Sequence, residues 1–141
     1  MLKNIDPLLT GSLLSHLDRM GHGDLLGLVD RNFPAHRYGA PVIDFRGVDT
    51  GTAIAALLSV FPLDGFVDEA VHRMEIDGAP DEITAATERL QKAADAAEGR
   101  PVRIASVERF AFYEAAKPVT VFVQTGETVP YSCYLLRKGV V

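Results

Sequence analysis

Apolar and polar residues follow two alternating spacings along this chain. Stretches with an apolar residue at every third or fourth position predict amphipathic helices, and the short apolar or period-two runs between them predict strands. The predicted helices are Thr10 to Met20, Thr50 or Thr52 to Phe61, Asp81 to Gly99, and Glu108 to Ala116. The predicted strands are Leu25 to Val29, Pro41 to Phe45, Ala70 to Ile76, Val102 to Ile104, Val119 to Val123, and Tyr131 to Arg137.

This alternation predicts an α/β fold in which helices cover the faces of a largely parallel sheet. A short turn at Thr125-Gly126-Glu127 separates the last two strands, so we expect them to pair antiparallel and make the sheet mixed. The chain has 141 residues, the usual size of one domain, and we expect a single domain over residues 1–141.

The composition excludes several classes of protein. Hydrophobic residues make up 48% and charged residues 23%, which is typical of a globular domain and not of a disordered chain. A net charge of -5, with no basic run longer than Arg137-Lys138, argues against nucleic acid as a partner. The longest unbroken apolar stretch, Ala53 to Leu58, is far shorter than the ~18 to 20 residues of a membrane span. Polar residues interrupt the first twenty residues, so we expect a cytoplasmic protein.

Two polar positions near the first strand are candidates for chemistry. His22 lies between Gly21 and Gly23, and an imidazole in such a flexible loop can carry protons near neutral pH. Asp30 follows the strand at its carboxyl end, where α/β proteins collect their ligands. The structural alternatives are that Gly21 ends the helix while His22 bonds a neighbour, and that Asp30 is a turn carboxylate.

A second candidate cluster lies in the last third of the chain. Arg109 opens a predicted helix, and its guanidinium suits sugar hydroxyls or a carboxylate. The alternative is a surface ion pair with Glu108 or Glu114. Tyr131 can bring a phenol into the same pocket as Arg109.

Cofactor binding has little support in the sequence. A metal site built from His22, Asp24, Asp30 and His36 is conceivable, but its spacing matches no zinc or calcium motif. The single cysteine, Cys133, excludes an intrachain disulfide and a multi-cysteine zinc site. No glycine-rich phosphate-binding loop is present. The residues alone thus give little support to a metal or a nucleotide cofactor.

An ordered set of motifs is similar to the L-fucose mutarotase and D-ribose pyranase family over nearly the whole chain. The motifs are Met1-Leu2-Lys3 with Pro7-Leu8-Leu9, Met20-Gly21-His22-Gly23-Asp24, Asp30 with Asn32-Phe33-Pro34-Ala35-His36, Arg109-Phe110-Ala111-Phe112-Tyr113-Glu114, and Thr125-Gly126-Glu127 with Leu135-Leu136-Arg137-Lys138-Gly139-Val140. The segment from Arg109 to Glu114 resembles the fucose branch. The resemblance implies a three-layer α/β/α fold, ring-shaped oligomers that are commonly decamers, and cofactor-free interconversion of sugar ring forms.

The resemblance also assigns residue roles. His22 matches the catalytic histidine of the family, and the matching substrate-binding positions are Asp30, Arg109, Tyr131, Ser132 and Cys133. The family usually has asparagine where this chain has Cys133, so hydrogen bonding to the sugar is expected to differ.

These observations lead to one main hypothesis and two alternatives. We expect a mutarotase that interconverts the α and β anomers of L-fucose or a closely related aldose. One alternative is a non-catalytic sugar-binding or transport-accessory module, and the other is a D-ribose pyranase. In rings of this family a terminal segment closes the neighbour's pocket, which implies that Tyr131 lies near His22 of another chain.

Overall fold

The computed structural model describes residues 1–141 and contains four α-helices and six strands. The helices are α1 (Gly11–Arg19), α2 (Thr50–Leu58), α3 (Ala85–Glu98) and α4 (Arg109–Ala115). The strands are β1 (Leu25–Val29), β2 (Val42–Phe45), β3 (Val71–Met74), β4 (Ile104–Val107), β5 (Val119–Thr125) and β6 (Tyr134–Arg137). A single 3-10 helix covers Ala35–Tyr38. Every predicted helix and strand is present, with different ends in several cases.

The strands form one sheet in the order β2-β5-β1-β6-β3-β4. Five strands run in the same direction, and β6 lies antiparallel between β1 and β3. The mixed, mostly parallel α/β sheet predicted from the sequence is confirmed. The expectation that the last two strands pair with each other is wrong, because residues 126–133 carry the chain past β1 before β6 begins.

Helices cover both faces of the sheet. Leu13 of α1, Leu57 of α2 and Leu90 of α3 belong to one buried cluster with Leu26 of β1. On the other face, Phe112 of α4 and Ala35 of the 3-10 helix pack with Phe122 and Leu135. The alternation of side chains along each strand places the two clusters on opposite faces, which gives the three layers.

Side-chain caps explain where several elements begin. The helix α1 starts after Thr10, whose hydroxyl accepts from Leu13 N–H as predicted. The helix α3 starts later than expected, because Thr84 accepts from Thr87 N–H and thereby fixes the first turn at Ala85. Strand β4 starts at Ile104 and not, as predicted, at Val102. The N–H of Val102 donates to the carboxylate of Asp95, so it forms no hydrogen bond with a neighbouring strand.

The end of α2 is also corrected. It ends at Leu58, before the predicted Phe61, and the hydroxyl of Ser59 donates to Ala56 O at this terminus. None of the helices combines the length and the apolar character that crossing a bilayer requires.

The sheet topology determines at which end of the strands each candidate residue lies. The five parallel strands finish at one edge, called here the carboxyl edge, where Asp30 follows β1 and where β6 begins. At the opposite, amino edge, the loop around His22 leads into β1 beside the end of β6 at Arg137. Candidate residues that are close in sequence therefore lie at different edges of the sheet.

Candidate active site

The carboxyl edge holds a cavity of about 250 Å³ that contains four of the predicted site residues. Its polar and aromatic lining includes Asp30, Arg109, Tyr131, Cys133, Tyr113 and Asn32. We call it the carboxyl-edge cavity. The expectation that Arg109 and Tyr131 share a pocket is confirmed by this lining.

Asp30 is buried, and only one of its two carboxylate oxygens accepts backbone hydrogen bonds. Its Oδ1 accepts from the N–H groups of Asn32, at 2.9 Å, and Phe33, at 3.0 Å. Gln124 fixes the same loop by donating to the carbonyls of Asp30 and Phe33. Asp30 therefore acts as the turn carboxylate considered from the sequence. Its Oδ2 accepts no backbone hydrogen bond, so this oxygen can accept one from a ligand.

Arg109 is oriented by an acidic partner that the sequence analysis did not consider. Its Nη1 lies 2.6 Å from Asp77 Oδ2, and its guanidinium lies 5.1 Å from the centre of the Phe110 ring. The hydrogen bond that Arg109 donates to Asp77 raises the pKa of Arg109, with a further contribution from Tyr113. Glu108, one of the two expected partners, instead caps α4 by accepting from backbone N–H groups.

The second expected partner is also occupied elsewhere, because Glu114 pairs with Lys117. The ion-pair alternative for Arg109 was therefore right in kind and wrong in its partners. One planar guanidinium offers five N–H donors, so the contact with Asp77 leaves others free for hydroxyl groups of a ligand.

Tyr131 and Ser132 connect the last turn to β6 and differ in orientation. Tyr131 has a left-handed backbone with φ 62°, a strained conformation for a bulky residue and one that recurs at functional sites. It lines the carboxyl-edge cavity, whereas the Ser132 hydroxyl is fully buried outside that lining and has no hydrogen-bond partner. Only the Tyr131 side chain of this pair is placed to reach a ligand in the carboxyl-edge cavity.

Cys133 lies next to Asp30 and is only 2% exposed. Burial raises the pKa of its thiol well above the ordinary value, and the negative charge of Asp30 raises it further. The thiol therefore stays protonated at neutral pH, where it is a weak donor and a poor nucleophile. Its place in the lining fits a contact that shapes the cavity.

His22 lies at the amino edge, in a different cavity of about 630 Å³. Its imidazole is 46% exposed, and Nε2 lies 3.1 Å from Asp64 Oδ2. Gly23 has φ 89°, and a Cβ at this position would lie 3.1 Å from the Arg137 guanidinium, so glycine allows the loop to turn here. Backbone hydrogen bonds join this loop to Lys138 on both sides of the turn.

Asp64, which contacts His22, was not among the residues predicted from the sequence. It is 1% exposed and contacts His22 and Arg137 through the same carboxylate oxygen. Its position shortly after Pro62, in the segment between α2 and β3, is that of an ordinary loop residue. The only available signal was a carboxylate beside the exposed aromatic Phe66, and that pattern is too common to indicate a site.

Within one chain, the predicted site residues form two separate groups. Strand β1 lies between His22 and Asp30 and spans about 13 Å at ~3.3 Å per residue. The metal-ligand set considered from the sequence is not assembled, because no three His, Cys, Asp or Glu side chains come together. The carboxyl-edge cavity can bind a small polar molecule, and the imidazole of His22 is accessible at the other edge.

The chain is similar to known proteins over nearly its whole length. Residues 3–141 match the RbsD / FucU transport protein family. The chain belongs to this family. An L-fucose mutarotase of Glaesserella parasuis serovar 5 (strain SH0165) is 37% identical over 140 residues, which cover 99% of this chain and 96% of the relative.

Solved structures of family members have the same fold. The structure of protein Atu2016 is 44% identical, with a TM-score of 0.95 over 100% of this chain and 97% of that one. The fucose mutarotase of Streptococcus pneumoniae, solved in complex with L-fucose, is 31% identical, with a TM-score of 0.90 over 99% of each chain. The family resemblance noted in the sequence is thereby confirmed, and the similarity extends over the whole fold.

Proposed function

We propose that this protein is an L-fucose mutarotase, an isomerase that exchanges the α and β anomers of the sugar without a cofactor. The observation that carries the proposal is the 37% identity to an L-fucose mutarotase over 99% of this chain. The carboxyl-edge cavity supports it independently, because a carboxylate, a guanidinium and a phenol suit the hydroxyl groups of a monosaccharide.

The reaction needs only proton transfers. In ring opening, the anomeric hydroxyl loses a proton, the bond between the anomeric carbon and the ring oxygen breaks, and the ring oxygen gains a proton. Closure on the other face of the aldehyde reverses both transfers. No electrons are gained or lost overall, and a positioned acid or base typically contributes about 10² to 10⁴ in rate.

We assign His22 as the principal proton donor, because it matches the catalytic histidine of the family and its half-exposed imidazole is accessible to a substrate. Asp30 and Arg109 bind sugar hydroxyls, and Tyr131 contacts the sugar or relays the second proton. Cys133 and the backbone of Ser132 complete the binding segment. The buried thiol adds little hydrogen bonding, so the other groups carry most of the recognition.

We further propose that a complete site forms between two copies of the chain in a ring, with ten subunits as the expected number. Two features support this arrangement: His22 and Asp30 lie at opposite edges, and the carboxyl-edge cavity is smaller than the ~300 to 1,000 Å³ of usual ligand sites. Exposed apolar side chains also flank both cavities, including Phe66 beside His22 and Phe110 beside Arg109. Such head-to-tail contacts close into rings.

Saturation-transfer NMR of the anomeric protons tests the proposed activity. We expect micromolar protein to accelerate exchange between the anomers of L-fucose, and we expect His22→Ala to lose most of this acceleration while it stays folded. Exchange of L-fucose and related aldoses at the spontaneous rate would overturn the proposed enzyme. Full activity of a folded His22→Ala variant would assign the proton transfer to another group.

The two alternatives give different results in related measurements. A non-catalytic sugar-binding module would bind L-fucose in calorimetry and leave the anomer exchange unchanged; the replacement of asparagine by Cys133 is the feature that favours it. A D-ribose pyranase would accelerate exchange between the pyranose and furanose forms of D-ribose more than the exchange of L-fucose. A panel of aldoses in the same NMR assay separates the three functions.

A further inference from the structure

The imidazole of His22 has one protein partner, the carboxylate of Asp64. His22 Nε2 lies 3.1 Å from Asp64 Oδ2, and no hydrogen bond within the chain involves Nδ1. A neutral imidazole carries its proton on one nitrogen only, and the partner of each nitrogen decides which one. The protonation state of Asp64 therefore determines which nitrogen of His22 is left to exchange a proton with a substrate.

Several contacts keep Asp64 ionised. Its Oδ1 accepts from Phe66 N–H at 3.0 Å, and Arg137 Nε lies 3.0 Å from Oδ2. The backbone hydrogen bond from Phe66 lowers the pKa of Asp64, and the hydrogen bonds from His22 and Arg137 lower it further. An ionised carboxylate only accepts hydrogen bonds, so the facing Nε2 of His22 must carry a proton.

The backbone around Asp64 is fixed on both sides. Asp64 N–H donates to Arg137 O, and Leu63 forms a bridge with Lys138. Gly139 packs so closely that a Cβ there would lie 2.9 Å from Asp64 Cα. Close backbone packing of this kind leaves the carboxylate little freedom to move away from the imidazole.

The other charged groups near His22 form no ion pair with it. Asp18 and Lys138 line the same cavity, but the Lys138 ammonium donates to two carbonyls at the end of α1. Asp24 accepts from Gly21 N–H within the loop. Asp64 is thus the only carboxylate in contact with the ring.

We propose that Asp64 is a positioning residue that holds His22 as the Nε2–H tautomer and directs Nδ1 toward the sugar. The inference rests on the proposed function, in which His22 exchanges a proton with the substrate. As the ring opens, the unprotonated Nδ1 takes the proton of the anomeric hydroxyl, and the imidazolium formed in this way gives a proton to the ring oxygen as its bond to the anomeric carbon breaks. Closure on the other face of the aldehyde reverses both transfers. Asp64 touches no reacting atom, and its negative charge stabilises the imidazolium that forms in each cycle.

The first test uses the unchanged protein and does not depend on activity. Long-range ¹H–¹⁵N spectra of ¹⁵N-labelled protein in alkaline buffer distinguish protonated from unprotonated imidazole nitrogens. The spectrum of a His22→Asn variant identifies the His22 signals among those of the four histidines. We expect a protonated Nε2 and an unprotonated Nδ1. A predominant Nδ1–H tautomer would overturn the inference.

The second test is Asp64→Asn, which puts an amide where the carboxylate accepts. We expect kcat for anomer exchange to fall by about 10 to 100-fold, as for loss of a partner that orients another functional side chain, with KM for L-fucose changed less than about twofold. The proportion of the Nε2–H tautomer should fall with it. Unchanged kcat and tautomer in a folded variant would overturn the inference.

A matched control is Glu98→Gln. The Glu98 carboxylate accepts from Leu63 N–H, one residue before Asp64, and glutamine keeps an acceptor there without changing the group that faces His22. We expect its activity and its His22 spectrum to match the unchanged protein. If the unchanged protein does not accelerate exchange, the proposed function fails, while the tautomer measurement still decides the role of Asp64.

Discussion

His22 and Asp30 lie at opposite ends of the same strand, although only seven residues separate them in sequence. Because β1 is extended between them, one sugar molecule cannot contact both residues of a single chain. The shared site proposed here removes this conflict, since His22 of one subunit can meet Asp30 and Tyr131 of the next. Under the proposed function, in which His22 and Asp30 act on the same sugar, activity therefore requires subunit association.

Mixing two inactive variants tests the shared site. We expect His22→Ala and Tyr131→Ala each to be inactive alone. After dissociation and joint reassembly, a random one-to-one mixture gives about one quarter of the pockets both intact residues. Activity should return to a comparable fraction in the NMR exchange assay.

Each variant reassembled alone is the control, because refolding must not restore activity by itself. Light scattering of the mixture shows whether oligomers have re-formed. Oligomers that contain both variants and remain inactive would contradict the shared site. So would a monomeric and fully active unchanged protein.

Much of this fold could be predicted because the local patterns agree with the tertiary structure. The run Leu25 to Val29 is apolar throughout and becomes a central strand of the sheet, and Thr10 caps α1 as its position indicates. The pairing of β6 could not be predicted in this way. A short turn suggests a hairpin, but no local sequence feature indicates that residues 126–133 pass β1 and place β6 beside β3.

In the candidate site, too, residues with a local sequence signal could be predicted, and partners that are distant in sequence could not. Asp30 was found from its position after a strand, and the carboxyl-edge cavity includes it. The sequence did not indicate the carboxylates that pair with the arginines near the two cavities. Asp77 lies 32 residues from Arg109, and Asp64 lies far from Arg137 in sequence. Only the folded sheet brings these pairs together.

Replacing Cys133 by asparagine is expected to strengthen sugar binding. The amide offers two donors and an acceptor where the buried thiol offers one weak donor. A net gain of one hydrogen bond, about 1 kcal/mol, lowers KM for L-fucose by about fivefold. NMR exchange rates over a range of concentrations measure this change.

The same measurements with D-ribose show whether the added amide also changes the preference among aldoses. Thermal melting confirms that the variant keeps its fold. A Cys133→Asn protein with the original stability and an unchanged or higher KM for every aldose would show that this position does not contact the sugar.

Gly27 of β1 is expected to resist substitution because of Phe122. The two residues are paired in neighbouring strands, and a Cβ at residue 27 would lie 2.6 Å from the ring Cε1. Gly27→Ala forces the buried ring to move, at a cost of about 1 to 3 kcal/mol. Urea denaturation measures the loss, and Gly47→Ala, which meets no atom within 4 Å, is the control.

A second substitution separates the clash from a backbone effect. Phe122→Leu shortens the neighbouring side chain, so Gly27→Ala should cost less in that background than in the unchanged protein. Equal costs in both backgrounds would show that the ring is not the reason for glycine at residue 27.

Loss of the Glu127 charge is expected to destabilise the turn that leads to Tyr131, and to do so only above acidic pH. The Glu127 carboxylate is 4% exposed and accepts from Thr50 N–H, Val129 N–H and Arg89. Burial raises its pKa, but the hydrogen bonds from the two backbone groups and from Arg89 outweigh this, so the pKa lies below the ordinary 4.5. The ionised form is therefore the one that folding favours.

The sign of the pH dependence follows from this lowered pKa. The stabilisation is fully present above the unfolded pKa, near 4.5, and is lost as the pH falls through the lower folded value. We expect Glu127→Gln to reduce the free energy of unfolding by about 2 kcal/mol at pH 7, and by progressively less below the unfolded pKa. Urea denaturation of both proteins across this range measures the difference.

Glu114→Gln is the matched control, because Glu114 pairs with Lys117 on the exposed surface. Exposed pairs contribute little, so this variant should lose less than about 1 kcal/mol. A destabilisation by Glu127→Gln that stays constant from pH 7 down into the acidic range would point to lost shape or packing. The charge of Glu127 would then not be what holds the turn against Thr50 of α2.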